Sequence, residues 1–535
     1  MVNTGLLVLT SPVRAKKLLP VIKKHVLKTL YIQYFPERNI FISGTNLLST
    51  QKWRGHCYAQ TLANIYEFAS SISSRLDVRV LLSNLKNSNI SIIHTKRPVE
   101  LVIFDEAHNK KEADTFIQDY LSNTSMGCNF ITIDENGQDR SSSSTSENDD
   151  DNNGREMKNC DEKFYKNVIL GGTFDRLHNG HKILLSEAIL YCSERLTVGV
   201  TDENMLKSKI LWELIEPCEQ RIMALKDFLE DVDSSLNYNL VPISDIYGPT
   251  KDDPKLNLLV VSEETVRGGE KVNQLRRERN LSKLDIHVVK LMSDEQSDEN
   301  EDPKISSSNE RIRLLGTRLR QPNLKDKILR PYIIGLTGGI ASGKSSIAEK
   351  LEKLGAGHVN CDKIAHDLYE PGKECYKLIV ESFGTKILNS EQFIDRKALG
   401  NIVFNNKEQL YKLNKLVWPA ILKEAKSQIN SLHEKGVDII VMEAAVLIQA
   451  NWQNYCHEIW TCIIPEEEAV KRVMERNSLS EEEAKQRITV QPSNVQQINE
   501  ANVVVSTLWS HEVTQKQVQK AWNELMNHLK KIPDS

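Results

Sequence analysis

The chain has 535 residues, with 69 Lys and Arg against 73 Asp and Glu and a formal net charge of −4. That length exceeds one ordinary core and predicts several domains of about 100–200 residues each. The balanced charge excludes a globally basic nucleic-acid or membrane binder.

The amino-terminal region, residues 1–133, opens on a basic stretch. Arg14, Lys16, Lys17, Lys23, Lys24 and Lys28 all precede the first acid, Glu37. Residues 1–36 therefore fit two readings. One is a mitochondrial targeting segment or a helix making peripheral membrane contact. The other is a first strand at Leu6 to Leu9 followed by a helix with a solvated face. "LDVRVLL" (76–82) and "ELVIFDEAHN" (100–109) are the clearest later elements. The "DEAH" at 105–108 is a helicase tetrapeptide only downstream of a phosphate loop in the same domain. Here it reads as a strand end and a polar loop, and the region carries no motif that assigns a role.

Residues 134–163, with "SSSSTSENDDDNNG", are too polar and acidic to offset ordering entropy and read as a mobile linker. The middle region, 164–292, alternates strands and helices: "NVIL" (167–170), an apolar helix face through Leu185, Ile189 and Cys192, then "RLTVGV" (195–200), "YNLVPI" (238–243), "NLLVVS" (257–262) and "LDIHVVKLM" (284–292). This is the rhythm of a doubly wound parallel sheet. Residues 293–330 combine a second acidic linker, "SDEQSDENEDPKISSSNE", with a basic stretch, Arg311 to Arg330, that reads as a solvated connecting helix. The last region, 331–535, repeats the α/β rhythm through "YIIGLT" (332–337), "VDIIVME" (437–443), "EIWTCIIP" (458–465) and "ANVVVS" (501–506), with a final helix from about His511.

The nine cysteines form no CxxC pair and are odd in number, which points to a reducing compartment, cytoplasmic or mitochondrial, rather than to a disulfide framework. No apolar run approaches the about 18–20 residues of a spanning helix. Neither nucleic acid nor an integral membrane position is expected, and the sequence names no protein partner.

"GGTFDRLHNGHKILL" (171–185) concentrates chemistry. A metal reading joins His178 and His181 to Asp175 as ligands. A phosphate reading uses the strand-end glycines Gly171 and Gly172 and the helix entrance at Gly180, where backbone N–H groups and the helix dipole face an anion. In that case the histidines donate to phosphoryl oxygens as charge develops. The context, strand before and helix after, favours phosphate.

A second phosphate site is explicit. "GLTGGIASGKSS" contains GxxxxGKS between a strand and a helix. Gly338, Gly339, Ile340, Ala341, Ser342, Gly343, Lys344, Ser345 and Ser346 form a loop whose N–H groups cradle β- and γ-phosphates, with Lys344 as a point charge and Ser345 as a Mg²⁺ ligand.

His178-Asn179-Gly180-His181 after Gly172-Thr173-Phe174-Asp175 resembles the HxGH signature of nucleotidyltransferases. "VGVTDENMLKSK" (198–209), "YGPTKDDP" (247–254) and "VVSEETVRGG" (260–269) resemble phosphopantetheine adenylyltransferases of the eukaryotic type. The resemblance implies ATP and 4′-phosphopantetheine as substrates. It implies that His178 and His181 act in catalysis together with Lys207 or Lys209, between which the sequence does not choose. Gly172, Thr173, Asp175 and Arg267 would contact the nucleotide.

The last region resembles dephospho-CoA kinases through "HVNCDKIAHDLY" (358–369), "DRKALGNIVFNNKEQLYKLNKLVWPAI" (395–421) and "KRVMERNSLSEEEAKQRI" (471–488). This resemblance implies that Asp362 is the general base for a ribose 3′-hydroxyl of dephospho-CoA, with a helix N-cap as its alternative role. Arg476 and Arg487 would be lid arginines over ATP, or else plain surface charges. The chain departs from the family at Glu443 and Ala445 in "MEAAVLI", at Trp418-Pro419 and at Gln497; Glu443 keeps a carboxylate for Mg²⁺. The domain order resembles that of bifunctional coenzyme A synthases. The expected fold class is α/β: two doubly wound parallel-sheet domains, one Rossmann-like with HxGH and one P-loop kinase, after an α/β-like amino-terminal region. Another HxGH nucleotidyltransferase fused to a P-loop small-molecule kinase, or a non-catalytic scaffold, would share part of this pattern.

Overall fold

A computed structural model describes residues 1–35, 58–72, 76–86, 92–133, 163–325, 327–404 and 406–531. The chain divides into two compact units, residues 1–309 and 310–535. The first unit holds two sheets and the second holds one.

The first sheet is built from β1 (Val2–Leu9), α1 (Pro12–Ile22), β2 (Val26–Tyr34), α2 (Ala59–Ile72), β3 (Asp77–Val80), α3 (Ser83–Lys86), β4 (Val99–Phe104), α4 (Lys110–Tyr120) and β5 (Thr124–Thr132). Its strands are all parallel, in the order β3-β2-β1-β4-β5. β1 lies in the centre, and Leu6, Leu7, Val8 and Leu9 are buried because both faces are covered. Pro12 opens α1, where its missing N–H costs nothing. Ala15, Leu18, Leu19 and Ile22 of α1 join the core. Residues 1–35 form two strands of the sheet and a helix whose apolar face packs on it, so the first strand and helix of the second reading are present, with a second strand, β2, after them. Residues 134–162 of the expected first linker lie outside the described residues.

The second sheet comprises β6 (Tyr165–Gly172), α5 (Asn179–Tyr191), β7 (Cys192–Thr201), α6 (Cys218–Val232), β8 (Asn237–Ile243), β9 (Leu258–Ser262), α7 (Val266–Glu278) and β10 (Asp285–Val289). It is also all-parallel, in the order β10-β9-β6-β7-β8. Gly171 and Gly172, expected to follow the strand, are its last two residues, paired with Gly199 and Val200. Helix α5 buries far more than one stripe, including Lys182, Ile183, Leu185, Ser186, Glu187, Ala188, Ile189 and Leu190. The reason is tertiary: one side meets the second sheet and another meets α2.

The second linker is a correction. Residues 293–309 are not a free tether but fold onto the second sheet. Ile305 N–H donates to Met292 O, and the buried Asn309 amide donates to Asp302 O and Lys304 O, while Lys304 pairs with Glu264. Polar composition does not prevent order when the polar groups bond one another and an adjacent domain. Helix α8 (Ser307–Leu314) follows.

In the second unit the sheet elements are β11 (Tyr332–Gly338), α9 (Lys344–Lys353), β12 (Gly357–Asn360), α10 (Cys361–Leu368), α11 (Glu374–Phe383), α12 (Arg396–Phe404), α13 (Lys407–Glu434), β13 (Ile439–Glu443), β14 (Glu458–Ile463), α14 (Glu466–Asn477), α15 (Glu481–Thr489), α16 (Asn494–Glu500), β15 (Val503–Ser506) and α17 (His511–Leu529). The parallel order is β12-β13-β11-β14-β15, with a core on each face. The stretch 311–330 is helical only to Leu314, and its charges are not simply solvated. Arg318 pairs with buried Glu458 at 2.7 Å, and Arg320 donates to the carbonyls of Ile498, Asn499 and Ala501. Among the described residues no helix is long and apolar enough to cross a membrane, and the seven described cysteines are free.

Candidate active sites

The first site lies where β6 hands over to α5. His178 is the N-cap of α5, and its Nδ1 accepts from the His181 N–H at 3.4 Å. The Nε2 of His178 therefore carries the proton, and it faces Ser307 Oγ at 3.3 Å, which in turn donates to Asp175 O at 3.1 Å. A Cβ at Gly180 would sit 3.2 Å from His178 Nδ1, so the glycine lets the imidazole cap the helix. The two imidazoles stack with centroids 3.8 Å apart, and Phe174 covers His181 at 5.2 Å. Burial is the main cause that pushes the His181 pKa down to about 4; Asp175 opposes this and Lys209 adds to it. His181 is neutral at pH 7, and its buried Nδ1 has no hydrogen-bond partner among the described residues. Such a group is a donor or acceptor held ready for a ligand oxygen.

The loop before the helix is strained and braced. Phe174 and Arg176 adopt φ of 51° and 47°, a left-handed conformation that costs non-glycine residues roughly 1–3 kcal/mol each. Asp175 is fully buried, accepting from Arg176 Nη1 at 3.0 Å and from the Glu216 N–H at 3.0 Å. Arg221, also fully buried, donates to Thr173 O at 2.6 Å, Thr201 O at 2.9 Å and Glu216 O at 2.7 Å. Asp175 is therefore a brace. Among the described residues no group of three or more His, Cys, Asp or Glu side chains, Asp175, His178 and His181 included, is placed as a metal-holding cluster. Thr173 Oγ1 accepts from Thr201 Oγ1 at 3.3 Å, and Gly172 ends β6 against Phe174. Of the two candidate lysines, Lys209 is half-buried and its charge reaches His181, whereas Lys207 is exposed. Arg267 is exposed on the first turn of α7.

The second site lies between β11 and α9. Gly338 ends the strand, where a Cβ would come within 2.4 Å of Cys462 O, so no other residue fits without displacing backbone. The loop Gly339, Ile340, Ala341, Ser342 and Gly343 leads into α9, which begins at Lys344, with Ser345 and Ser346 in its first turn. Lys344 Nζ donates to Gly338 O at 3.0 Å and Gly339 O at 3.2 Å. Ser345 Oγ donates to Glu443 Oε1 at 2.7 Å, while His358 Nε2 and Asn360 Nδ2 bond the other carboxylate oxygen, each at 2.9 Å. Burial alone would raise the Glu443 pKa, but these bonds and the charges of His358 and Lys344 hold it below the ordinary carboxylate range. The sequence departure at 443 is thus accommodated by His358 and Asn360.

Asp362 sits in the first turn of α10, its carboxylate 3.5 Å from the Ala445 N–H and close enough to feel Lys344. Burial raises its pKa, so its carboxylate is a better proton acceptor than an exposed aspartate, against the lowering effect of Lys344. The helix N-cap role falls to Asn360, which accepts from Lys363 N–H at 2.8 Å. Arg476 and Arg487 are both exposed, and Arg476 bonds Asn477 at 3.2 Å. Sequence reasoning missed the arginine that does reach the loop. Arg472, one helical turn before Arg476, donates to Ala341 O at 3.4 Å and to Thr507 Oγ1 at 2.9 Å. Gln491 was missed as well and accepts from the Ile340 N–H at 2.6 Å. Gln497 is buried on α16 and donates to Pro492 O, and Trp418 packs along α13 with the core on that face. Arg221 and Ser307 of the first site also escaped notice, because neither falls in a motif and Ser307 lay in the expected linker.

Residues 169–316 match the cytidylyltransferase-like family model and residues 332–509 the dephospho-CoA kinase model. The first match includes 293–309, the segment folded onto the second sheet. The dephospho-CoA kinase of Carboxydothermus hydrogenoformans is 41% identical over 186 residues, 35% of this chain and 90% of that protein. That of Syntrophus aciditrophicus is 37% identical over 194 residues, 36% of this chain and 83% of that protein. Among solved structures, the dephospho-CoA kinase from Campylobacter jejuni is 29% identical, covering 37% of this chain and 98% of that chain at a TM-score of 0.29. The chain belongs to the dephospho-CoA kinase family through its second unit and carries a cytidylyltransferase-like domain ahead of it, the domain order of a bifunctional coenzyme A synthase.

Proposed function

We propose that the chain performs the last two steps of coenzyme A synthesis at the two sites in turn. The phosphate of 4′-phosphopantetheine attacks the α-phosphorus of ATP at the first site, giving dephospho-CoA and pyrophosphate. The ribose 3′-hydroxyl of dephospho-CoA then takes the γ-phosphoryl group of a second ATP at the second.

The observation that carries the first step is the pair at the α5 entrance: His178 capping the helix and neutral His181 with an unbonded, buried Nδ1. Both can donate toward phosphoryl oxygens, and the helix N-terminus adds partial positive charge. Lys209, half-buried on the loop where Lys207 is exposed, is the lysine assigned to neutralise the attacking phosphate. In the second step Asp362 accepts the hydroxyl proton, and Lys344, freed from the loop carbonyls, bonds the phosphates. Arg472 holds the loop in shape. Ser345 and Glu443 present two oxygen ligands suited to Mg²⁺, and that ion, when bound with ATP, offsets phosphate charge.

The test separates the two activities. His181→Ala is expected to lower dephospho-CoA formation by about 10²–10³-fold and to leave phosphorylation of added dephospho-CoA intact. Lys344→Ala is expected to do the reverse. Pyrophosphate release, dephospho-CoA and CoA are followed separately. Adenylylation of other acceptors but not of phosphopantetheine would refute the substrate assignment.

A further inference from the structure

The amino-terminal region, which no motif assigns, shares its architecture with the domain that follows it. Numbered from its own first strand, each sheet of the first unit has the parallel order 3-2-1-4-5. The helices also correspond: α1, α2 and α4 fall between the same strands as α5, α6 and α7. What differs is the phosphate position. The second sheet has a loop from Thr173 to His178 between its first strand and helix; the first has only Thr10 and Ser11. There the Asp105 carboxylate, arriving from the end of β4, accepts from Thr10 N–H at 2.8 Å, Thr10 Oγ1 at 2.9 Å and Ser11 N–H at 3.4 Å. Arg14 of α1 closes over it, bonding Asp105 O at 2.9 Å and Glu106 at 3.0 Å. Asp105 is 4% exposed. A built-in carboxylate thus holds the donors that a phosphate would need at this helix entrance.

The copy is closed, but it grips the working site. Asn179, the variable residue inside HxGH, donates to Ser70 Oγ at 2.8 Å and to Tyr66 O at 3.3 Å, both on α2. Three residues on, buried Lys182 donates to Asp77 Oδ1 at 2.7 Å and Val78 O at 2.9 Å. Asp77 also takes Arg79 Nε at 2.8 Å, and Arg79 reaches on to Asp227 and Asp231 of α6, each at 2.7 Å. Helix α5, into which the strained loop leads, and α6, which carries Arg221, are both held from the amino-terminal side.

We propose that residues 1–133 are a non-catalytic copy of the transferase fold, closed at its own phosphate position by Asp105, whose Ser70 and Asp77 position the HxGH helix for adenylyl transfer. This rests on the transferase reading of the first site. Ser70 and Asp77 are positioning residues: they act through Asn179 and Lys182 and touch no substrate.

The full-length chain is used for the test. Ser70→Ala is expected to lower the kcat of dephospho-CoA formation by about five- to tenfold, as loss of one aligning hydrogen bond should, with the KM for ATP within about twofold. Ser70→Thr, which keeps the hydroxyl, should restore kcat, and kinase turnover of the same preparation should not move. Amide exchange of the first turn of α5 should quicken in Ser70→Ala at unchanged melting temperature. Asp77→Asn should show the same kcat loss with a larger rise in exchange at Lys182. An unchanged kcat in both variants, with His181→Ala still inactive, overturns the positioning role and leaves the transferase reading standing. Absence of adenylyl transfer in the wild-type chain overturns both.

Discussion

At the residue scale, the first site turns on a histidine kept neutral. His181 has its pKa at about 4 because burial penalises the imidazolium, Asp175 favours it less strongly, and Lys209 repels it. An unfolded histidine titrates near 6.5, so the folded value is depressed. The contribution to stability is therefore complete above pH of about 6.5 and is lost as pH falls toward 4, because the unfolded chain binds the proton more readily. Removing the positive neighbour should move that midpoint in a known direction. Lys209→Ala is expected to raise the His181 midpoint, read from the ring resonance of histidine-labelled protein, and to raise the KM for 4′-phosphopantetheine by about tenfold through loss of a charged contact. Lys207→Ala, at an exposed position, should do neither. A KM rise confined to Lys207→Ala would reverse the assignment.

At the element scale, the two phosphate loops differ in how they are held. The kinase loop follows its motif: glycines at close approaches, Lys344 at the helix start, Ser345 facing Glu443. All of that placement was legible, because each residue stands where its motif puts it. The transferase loop depends on Arg221, forty-odd positions away, whose guanidinium ties the carbonyls of Thr173, Thr201 and Glu216 together. No periodicity announces a buried arginine on a helix, and α6 reads as amphipathic without it. The same holds for Arg472 beside the expected Arg476, and for Ser307, whose acidic surroundings pointed to disorder. Most strands were readable as apolar runs, whereas β2 was hidden in the basic amino-terminal stretch, β5 and β12 were too polar to see, and the broad burial of α5 needed a second domain that its own periodicity does not contain. Arg221→Met is expected to destabilise the first unit by about 3 kcal/mol, since buried carbonyls lose their donor. It should also lower dephospho-CoA formation by about a hundredfold through loss of loop geometry, with kinase turnover unchanged. Calorimetry and the two separate assays check this, and a stable variant with full transferase activity would show that Asp175 suffices to hold the loop.

At the scale of the whole molecule, the division of labour is between units that close their own cores. The sheet of the second unit is covered on both faces by its own residues, with Ile440, Met442 and Ile459 facing α13 and Leu336, Val441 and Val505 facing α9 and α17. In the first unit one continuous core runs from Leu7 and Tyr66 through Leu185 to Phe228, so its two sheets share apolar surface. Charge leads to the same division. Asp227, Asp231 and Asp233 gather at the carboxyl end of α6, where the helix dipole already disfavours negative charge. Their partners are Arg79, Lys86 and Arg97 from the amino-terminal region. A fragment 310–535 should therefore fold alone and phosphorylate dephospho-CoA with KM values within about twofold of the full chain, whereas a fragment 164–309 should lose cooperative unfolding and adenylyl transfer together. The uncovered face of α5 and three unpaired acids would each weigh against it, and the net stability of a domain is only about 5–15 kcal/mol. A fragment 1–309 should regain both properties. Circular dichroism melts and the two assays on the three fragments decide the matter: an active, cooperatively folded 164–309 would show that the amino-terminal copy is dispensable to the transferase fold.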